Sequence, residues 1–451
     1  MFRSMWCAMA LAVAMLPAYG QDVREELRQL QQRIQQLEKR LQDTDAKARK
    51  AEEDAARAEN TAAQASARPA SENAFNPAIS LILQGTAARS SLDPNTYRIT
   101  GFAPPTGEIG PARRGLSLGE SELVVTSNID PYFRGQLVAS LTPEDTVEVE
   151  EAFFQTLALG KGFTIKGGRF LSSIGYQNQI HQHAWDFQDA PLAYKAFLGG
   201  RLNDDGVQLR WVAPTDLLVE LGTELGQGRT FPGTAPNKNG TGLWTAFAHV
   251  GGDIGASTAW RTGLSYVRTS PQDRAVPDMD ALGTQSFTGR SNLWIADFIL
   301  KWAPGGNPTV TNFKLQGEYF RRKESGALSF DDTAQAAPVF GAATGDYASR
   351  QSGWYLQGVY QFMPQWRAGY RRDQLNHGTV SNGIGLTSAD SPLLLTDYNP
   401  KRNTLMVDWS PTEFSRIRLQ LASDKSRFGM TDNQVLLQYI YSLGAHGAHT
   451  F

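Results

Sequence analysis

Hydrophobic and polar residues alternate with a period of two through most of the chain beyond residue 77. In Arg416-Ile417-Arg418-Leu419-Gln420-Leu421 one face is Arg, Arg and Gln, and the other is Ile, Leu and Leu. Leu405, Val407 and Trp409 oppose Thr404, Met406 and Asp408, and Lys314, Gln316 and Glu318 alternate less strictly with Phe313, Leu315 and Tyr319. Successive side chains of a β-strand point to opposite faces, so this period predicts strands. About sixteen can be placed by the same rule. They centre on residues 79–86, 120–128, 132–141, 146–159, 163–171, 206–213, 216–225, 243–251 and 257–267. The remainder centre on 293–302, 309–320, 353–362, 365–372, 403–409, 415–422 and 435 to the end.

The connections between these strands alternate in length. Tight turns fall at 129–131, 160–162, 213–215, 253–255, 304–308, 363–364 and 410–412. Long connections fall at 90–118, 175–200, 228–241, 270–291, 324–350 and 375–402, with short ones at 142–145 and 427–433. One short-turn rim and one long-loop rim are what an outer-membrane barrel has, and a soluble sandwich has no reason for them. Aromatics flank the tight turns: Tyr132, Phe133, Phe163, Trp211, Trp260, Trp302, Phe362, Trp366, Trp409 and Phe414. The tetrads WVAP, WAPG, FMPQ and WSPT repeat one design, an aromatic just before a proline turn. Aromatic rings favour the headgroup level of a membrane, so this reads as an interfacial girdle.

A strand face of Arg, Gln and Glu cannot line a dry core, because unpaired buried charge is too costly, but it can line a wetted lumen. The fold expected over residues 78–451 is therefore an all-β transmembrane barrel of about sixteen antiparallel strands with an open lumen.

The first 77 residues differ. Arg3, an apolar run from Met5 to Leu16 and the small residues Ala18 and Gly20 make residues 1–20 a secretory signal peptide. Over 21–68 an apolar seam of Val23, Leu27, Leu30, Ile34, Leu37 and Leu41 continues in alanines with charged flanks, which predicts an α-helical coiled coil in the periplasm. Pro69 opens a linker over 69–77. The single cysteine, Cys7, lies in the signal, so no disulfide framework is expected. A formal net charge of -2 gives no nucleic-acid footprint.

Signal peptide, barrel, proline turns and the terminal Phe451 together resemble Gram-negative outer-membrane porins. The coiled coil ahead of a barrel is similar to phosphate- and carbohydrate-selective porins. That resemblance implies a homotrimer in the cell outer membrane, in contact with membrane lipid and lipopolysaccharide and inserted by the barrel-assembly machinery. Three stretches, HQHAWDFQDAPLAYKAFLGG, RWVAPTD and QYIYSLGAHGAHTF, resemble porin-sized proteins labelled zinc-regulated or TonB-dependent. That resemblance implies metal-linked uptake as an alternative function. Residues 22–76 do not fit the globular plug of a TonB-dependent receptor.

Residues 175–200 break the period of two and form the third long connection, the candidate constriction of a passive pore for small hydrophilic solutes or ions. Trp185, Phe187 and Tyr194 would anchor it, with His181, His183, Asp186 and Lys195 facing solute. His181 and His183 share a face if extended and, with Asp186, could bind Zn²⁺; the alternative is a solvated loop whose histidines only hydrogen-bond. His446 and His449 point to opposite faces of a strand and make a weaker pair. Charged positions expected at the pore wall include Arg210, Lys314, Arg367, Arg371, Arg416, Arg418, Glu220 and Glu318. With six histidines and no acid–His–Ser set that can be placed on one rim, no enzyme and no resident cofactor are expected.

Overall fold

The computed structural model describes residues 77–451 apart from 106–108, 144, 234–238, 279 and 445–451. The signal peptide, the coiled coil, all but the end of the linker, the 446/449 histidine pair and Phe451 lie outside the described residues. Among the described residues no helix is long and apolar enough to cross a membrane.

Sixteen antiparallel strands close into a barrel. They are β1 (Ala78–Ser90), β2 (Ser121–Asn128), β3 (Phe133–Leu141), β4 (Val147–Thr156), β5 (Phe163–Leu171), β6 (Asn203–Val212), β7 (Leu218–Gly226) and β8 (Leu243–Ile254). The second half comprises β9 (Thr258–Thr269), β10 (Thr284–Trp302), β11 (Asn312–Asp331), β12 (Ala342–Met363), β13 (Trp366–Asn382), β14 (Lys401–Thr412), β15 (Ser415–Lys425) and β16 (Asp432–Gly444). Each strand pairs with its sequence neighbours, and β16 returns to β1 in a register from Ser80↔Gly444 to Ser90↔Gln434. Closure leaves no open edge, so every ladder hydrogen bond in the membrane is satisfied. Two short pieces, Gly115–Leu118 and Arg274–Ala275, add to the long-loop ends of β1 and β10.

Every expected strand is present, but four are much longer than their hydrophobic cores. The stretches expected as loops at 270–291, 324–350 and 375–402 are in part extensions of β10 to β13. The alternation continues there with its sense reversed. Ser325 and Arg350 face outward, whereas Phe287, Leu328, Phe330 and Tyr347 turn inward and pack together. Beyond the membrane the outer face meets water, so apolar-outward alternation stops being the signal. The last tight turn also shifts: the strand runs through Thr412, and Glu413 and Phe414 make the turn, with Thr412 opposite Ser415.

The aromatic girdle surrounds the tight-turn rim, with Phe163 beside Trp211 and Trp366 stacked on Trp409, ring centres 6.3 and 6.0 Å apart. A second belt at the other membrane boundary carries Trp244, Tyr266, Trp294, Tyr319 and Trp354, with Tyr266 and Trp294 4.6 Å apart. On β10 the two belts are eight residues apart, Trp294 to Trp302. That is about 27 Å along the strand and about 20 Å across the membrane at the tilt of such barrels, close to the height of an outer-membrane apolar band.

The interior on the long-loop side is packed, contrary to an open lumen along its whole length. Tyr97, Ile99 and Phe102 of the first loop join Trp185, Tyr194 and Phe197 against the wall residues Phe320, Tyr355 and Leu375. Phe197 belongs to helix α1 (Leu192–Leu198), every residue of which is buried, and it stacks on Phe320 with ring centres 6.0 Å apart.

Candidate functional site

No residue between 175 and 200 is exposed; the whole segment lies folded against the inner wall. Its entry is set by Gly175, at φ 60°, where a Cβ would sit 2.3 Å from the Glu318 carboxylate. The Gly175 amide donates to Ser265 Oγ at 3.0 Å, and Arg261 donates to its carbonyl at 3.0 Å. Glu318 on β11 accepts from the Gln177 amide at 2.9 Å, from Tyr194 at 2.9 Å and from Tyr355 at 2.6 Å.

The segment then makes contacts on opposed walls. His181 Nδ1 lies 3.2 Å from Glu150 and its Nε2 3.0 Å from Glu151, both on β4. His183 Nδ1 lies 3.0 Å from Glu122 on β2, and the two imidazoles stack with centres 5.9 Å apart. Asp186 pairs with Lys314 on β11, lies 3.4 Å from Arg367 on β13 and accepts from Gln357 on β12 at 3.1 Å. In a ring of sixteen strands β4 and β12 stand opposite one another.

A further anchor follows. Asp189 is 3.1 Å from Arg371 and 3.3 Å from Lys195, and it also pairs with Arg402. The Leu192 amide donates to Asp373 at 2.9 Å, and Arg418 donates to the Trp185 carbonyl at 2.8 Å while holding Asp408 at 2.8 Å. Burial opposes ionisation of Asp189, but Arg402, Arg371 and Lys195 outweigh it and hold its carboxyl well below the usual aspartate range. Asp186 is held below that range for the same reason, with Lys314 and Arg367 outweighing burial. Burial also works against a charge on His181, yet hydrogen bonds to Glu122, Glu150 and Glu151 raise its pKa well above the ordinary imidazole value.

The four side chains expected to face solute are thus engaged by other side chains. His181 and His183 come together as the sequence suggests, but Asp186 does not join them: a turn of 3-10 helix, Gln182–Ala184, intervenes and directs it to the opposite wall. Lys195 is buried between Asp189 and the Tyr97 ring. Arg371 and Arg418 are each about 1 % exposed, and Glu318 is buried as well. Charged groups tolerate this interior because wall and segment pair them, which a single strand pattern does not reveal. Arg210, Lys314, Arg367 and Arg416 keep partial exposure, with Arg210 3.3 Å from Glu220 and Arg416 donating to the His183 carbonyl.

Glu150 and Glu151 are the participants that sequence reasoning missed. Two adjacent carboxylates within one strand should face opposite ways. Here the β3–β4 register shifts between Val138 and Ala139, leaving Glu150 as a bulge, and both side chains are buried inside. The sequence does hold one formal match to a hydrolase elbow, Gly115-Leu116-Ser117-Leu118-Gly119. These residues form an extended ladder against β1 and not a strand-to-helix turn, with the Ser117 hydroxyl 2.7 Å from that of Thr86.

A closed sixteen-stranded barrel with tight turns on one rim, long loops on the other and two aromatic belts is an outer-membrane barrel of the porin type. OmpT of Vibrio cholerae in its trimer form shares the fold, with a TM-score of 0.50 at 10% identity over 81% of this chain and 99% of that one. The channel DcaP of Acinetobacter baumannii superposes with a TM-score of 0.48 at 10% identity, over 81% of this chain and 97% of that one. The chain belongs to the same family as an uncharacterized protein of Aquifex aeolicus (strain VF5), 31% identical in an alignment of 410 residues that covers 85% of this chain and 81% of the relative. No family model matches the sequence.

Proposed function

We propose that the protein is a passive diffusion channel for small hydrophilic solutes or ions, narrowed by residues 175–200. The observation that carries this reading is the stretch from His181 on Glu150 to Asp186 on Gln357, which bridges opposed strands within six residues. A wall-to-wall segment leaves solute only the space beside it, which is how a wide barrel becomes size-selective. Below it, the tight-turn half of the wall carries the partly exposed Arg134, Lys166, Arg210, Lys314 and Arg367, while Glu220 and Asp408 are buried. That balance supports a preference for anions. A homotrimer is part of the proposal, by analogy with the trimer form of OmpT and with the coiled coil read over 21–68.

Planar-bilayer recording tests it. The full chain should give conductance steps in threes, with reversal potentials favouring anions. Replacing residues 177–197 by a short Gly-Ser linker should enlarge each step. Folded protein that gives no steps would end the channel reading, and unchanged step size in the linker variant would remove the segment from the constriction.

A further inference from the structure

Glu122, Glu150 and His181 each offer a ligand atom, and the three atoms lie within 4.8 Å of one another. His181 Nδ1 is 3.4 Å from Glu122 Oε2 and 3.2 Å from Glu150 Oε2. A tetrahedral ion bound at about 2.0–2.1 Å sets its donors roughly 3.3 Å apart, and both histidine-to-carboxylate separations match that spacing. The remaining atoms of these groups are already held. Glu122 Oε1 is taken by His183 at 3.0 Å, while Glu122 Oε2, in a residue 0 % exposed, faces the His181 imidazole at a long 3.4 Å. Glu151 orients the His181 ring through Nε2 at 3.0 Å, leaving Nδ1 to the cluster. Glu150 Oε1 accepts from Arg201 at 2.8 Å and from Ser140, and Arg201 also donates at 2.9 Å to Oε2, the oxygen that faces His181. Carboxylates that orient a ligating imidazole, and groups that fix a ligating carboxylate, are the usual outer partners of a metal ion.

Charge and access agree with the geometry. Glu120, Glu122, Glu150 and Glu151 outnumber the one guanidinium among them, that of Arg201, which bonds to Glu120 and Glu150. A cavity of about 620 Å³ on the long-loop side is lined by Glu120, Gln182 and Arg201, next to the cluster. The bulge at Glu150 costs a ladder pair and turns a second carboxylate inward, toward His181 and Arg201.

We propose that Glu122, Glu150 and His181 bind one divalent cation of the zinc class, with water or a neighbouring carboxylate completing the shell. One nitrogen and two carboxylate oxygens suit Zn²⁺ or Co²⁺, whereas Ca²⁺ takes six or more oxygens. The ion would join β2 and β4 to the start of the segment, on the wall opposite Asp186. Only that consequence, the tethering of a constriction, rests on the channel reading.

Purified full-length protein in detergent, stripped with chelator, is titrated with Co²⁺, read by its visible absorption, and then with Zn²⁺ by calorimetry. One Co²⁺ per chain should bind with a tetrahedral spectrum and be displaced by Zn²⁺. Glu150→Gln and His181→Ala should each weaken uptake by at least about tenfold, while His377→Ala retains it. Circular dichroism confirms the barrel in each variant. Uptake that is absent, or unchanged in the Glu150→Gln/His181→Ala double variant, overturns the site. Conductance steps without metal uptake would overturn the site and leave the channel, and uptake without steps would do the reverse.

Discussion

Asp189 on the lumenal segment and Arg371 on β13 form a buried ion pair of 3.1 Å, with Arg402 and Lys195 sharing the same carboxylate. Three cations converge on this acid; Arg371 also pairs with Asp373 at 3.0 Å and Arg402 lies 3.8 Å from Asp424. Asp189→Asn keeps the shape and removes the charge, leaving Arg371 and Lys195 buried beside a neutral amide. Breaking such a pair from one side costs about 3–5 kcal/mol. The barrel ladders do not depend on it, so the expected outcome is local: the segment detaches, single-channel conductance rises and residues 175–200 become protease-sensitive. Unchanged conductance together with unchanged proteolysis would show that the anchor is dispensable.

The same carboxylates set an acid limit for docking. Asp186 and Asp189 have depressed pKa values in the folded protein, so their stabilisation is fully present above the unfolded aspartate value of about 3.9 and is lost as pH falls toward the depressed folded values. Between pH 7 and about 5 the segment should stay docked. Below about pH 4 its hold weakens, and conductance and protease accessibility should rise together. A transition centred near neutrality would mean that other groups hold the segment.

The wall was legible in the sequence, and the filling was not. Ile417, Leu419 and Leu421 face lipid because the membrane imposes strong contrast at a period of two, and the same contrast fixes all sixteen strands. Past the membrane the contrast reverses: Leu328 and Phe330 turn inward, so β11 runs on where a loop was expected. Inside the barrel the partners are far apart in sequence. Glu122 meets His183 across a separation of 61 residues, and Asp189 meets Arg402 across 213. Proximity in sequence even misled, since Asp186 follows His183 closely yet lies with Lys314. The Glu150–Glu151 doublet was the one readable sign of an inward bulge.

Gly175 tests how firmly the segment's entry is specified. Its φ of 60° and the 2.3 Å approach of Glu318 leave no place for a side chain. Gly175→Ala places a methyl against a carboxylate that Tyr194 and Tyr355 hold in place. Backbone strain of this kind costs about 1–3 kcal/mol, before any loss of the Glu318 hydrogen bonds. Urea unfolding in liposomes should show that loss, with the barrel's far-ultraviolet spectrum unchanged. A variant as stable as the parent would mean that Glu318 yields at little cost.

Lys323 and Arg350 sit directly opposite one another in the β11–β12 ladder, and both face outward and are exposed. Like charges in that position destabilise a sheet unless an anion lies between them. They line an outer groove of about 520 Å³ with Arg321, Trp294 and Tyr266, at the long-loop boundary of the apolar band. Phosphate groups of lipopolysaccharide lie at that boundary in an outer membrane, and their acyl chains would run down past the tryptophan. Protein extracted in mild detergent should therefore retain lipopolysaccharide, and the Lys323→Ala/Arg350→Ala variant should lose at least half of it by phosphate assay. Channel conductance should not change, because both side chains are outside the lumen. Equal retention by parent and variant would reject the groove as a lipid site.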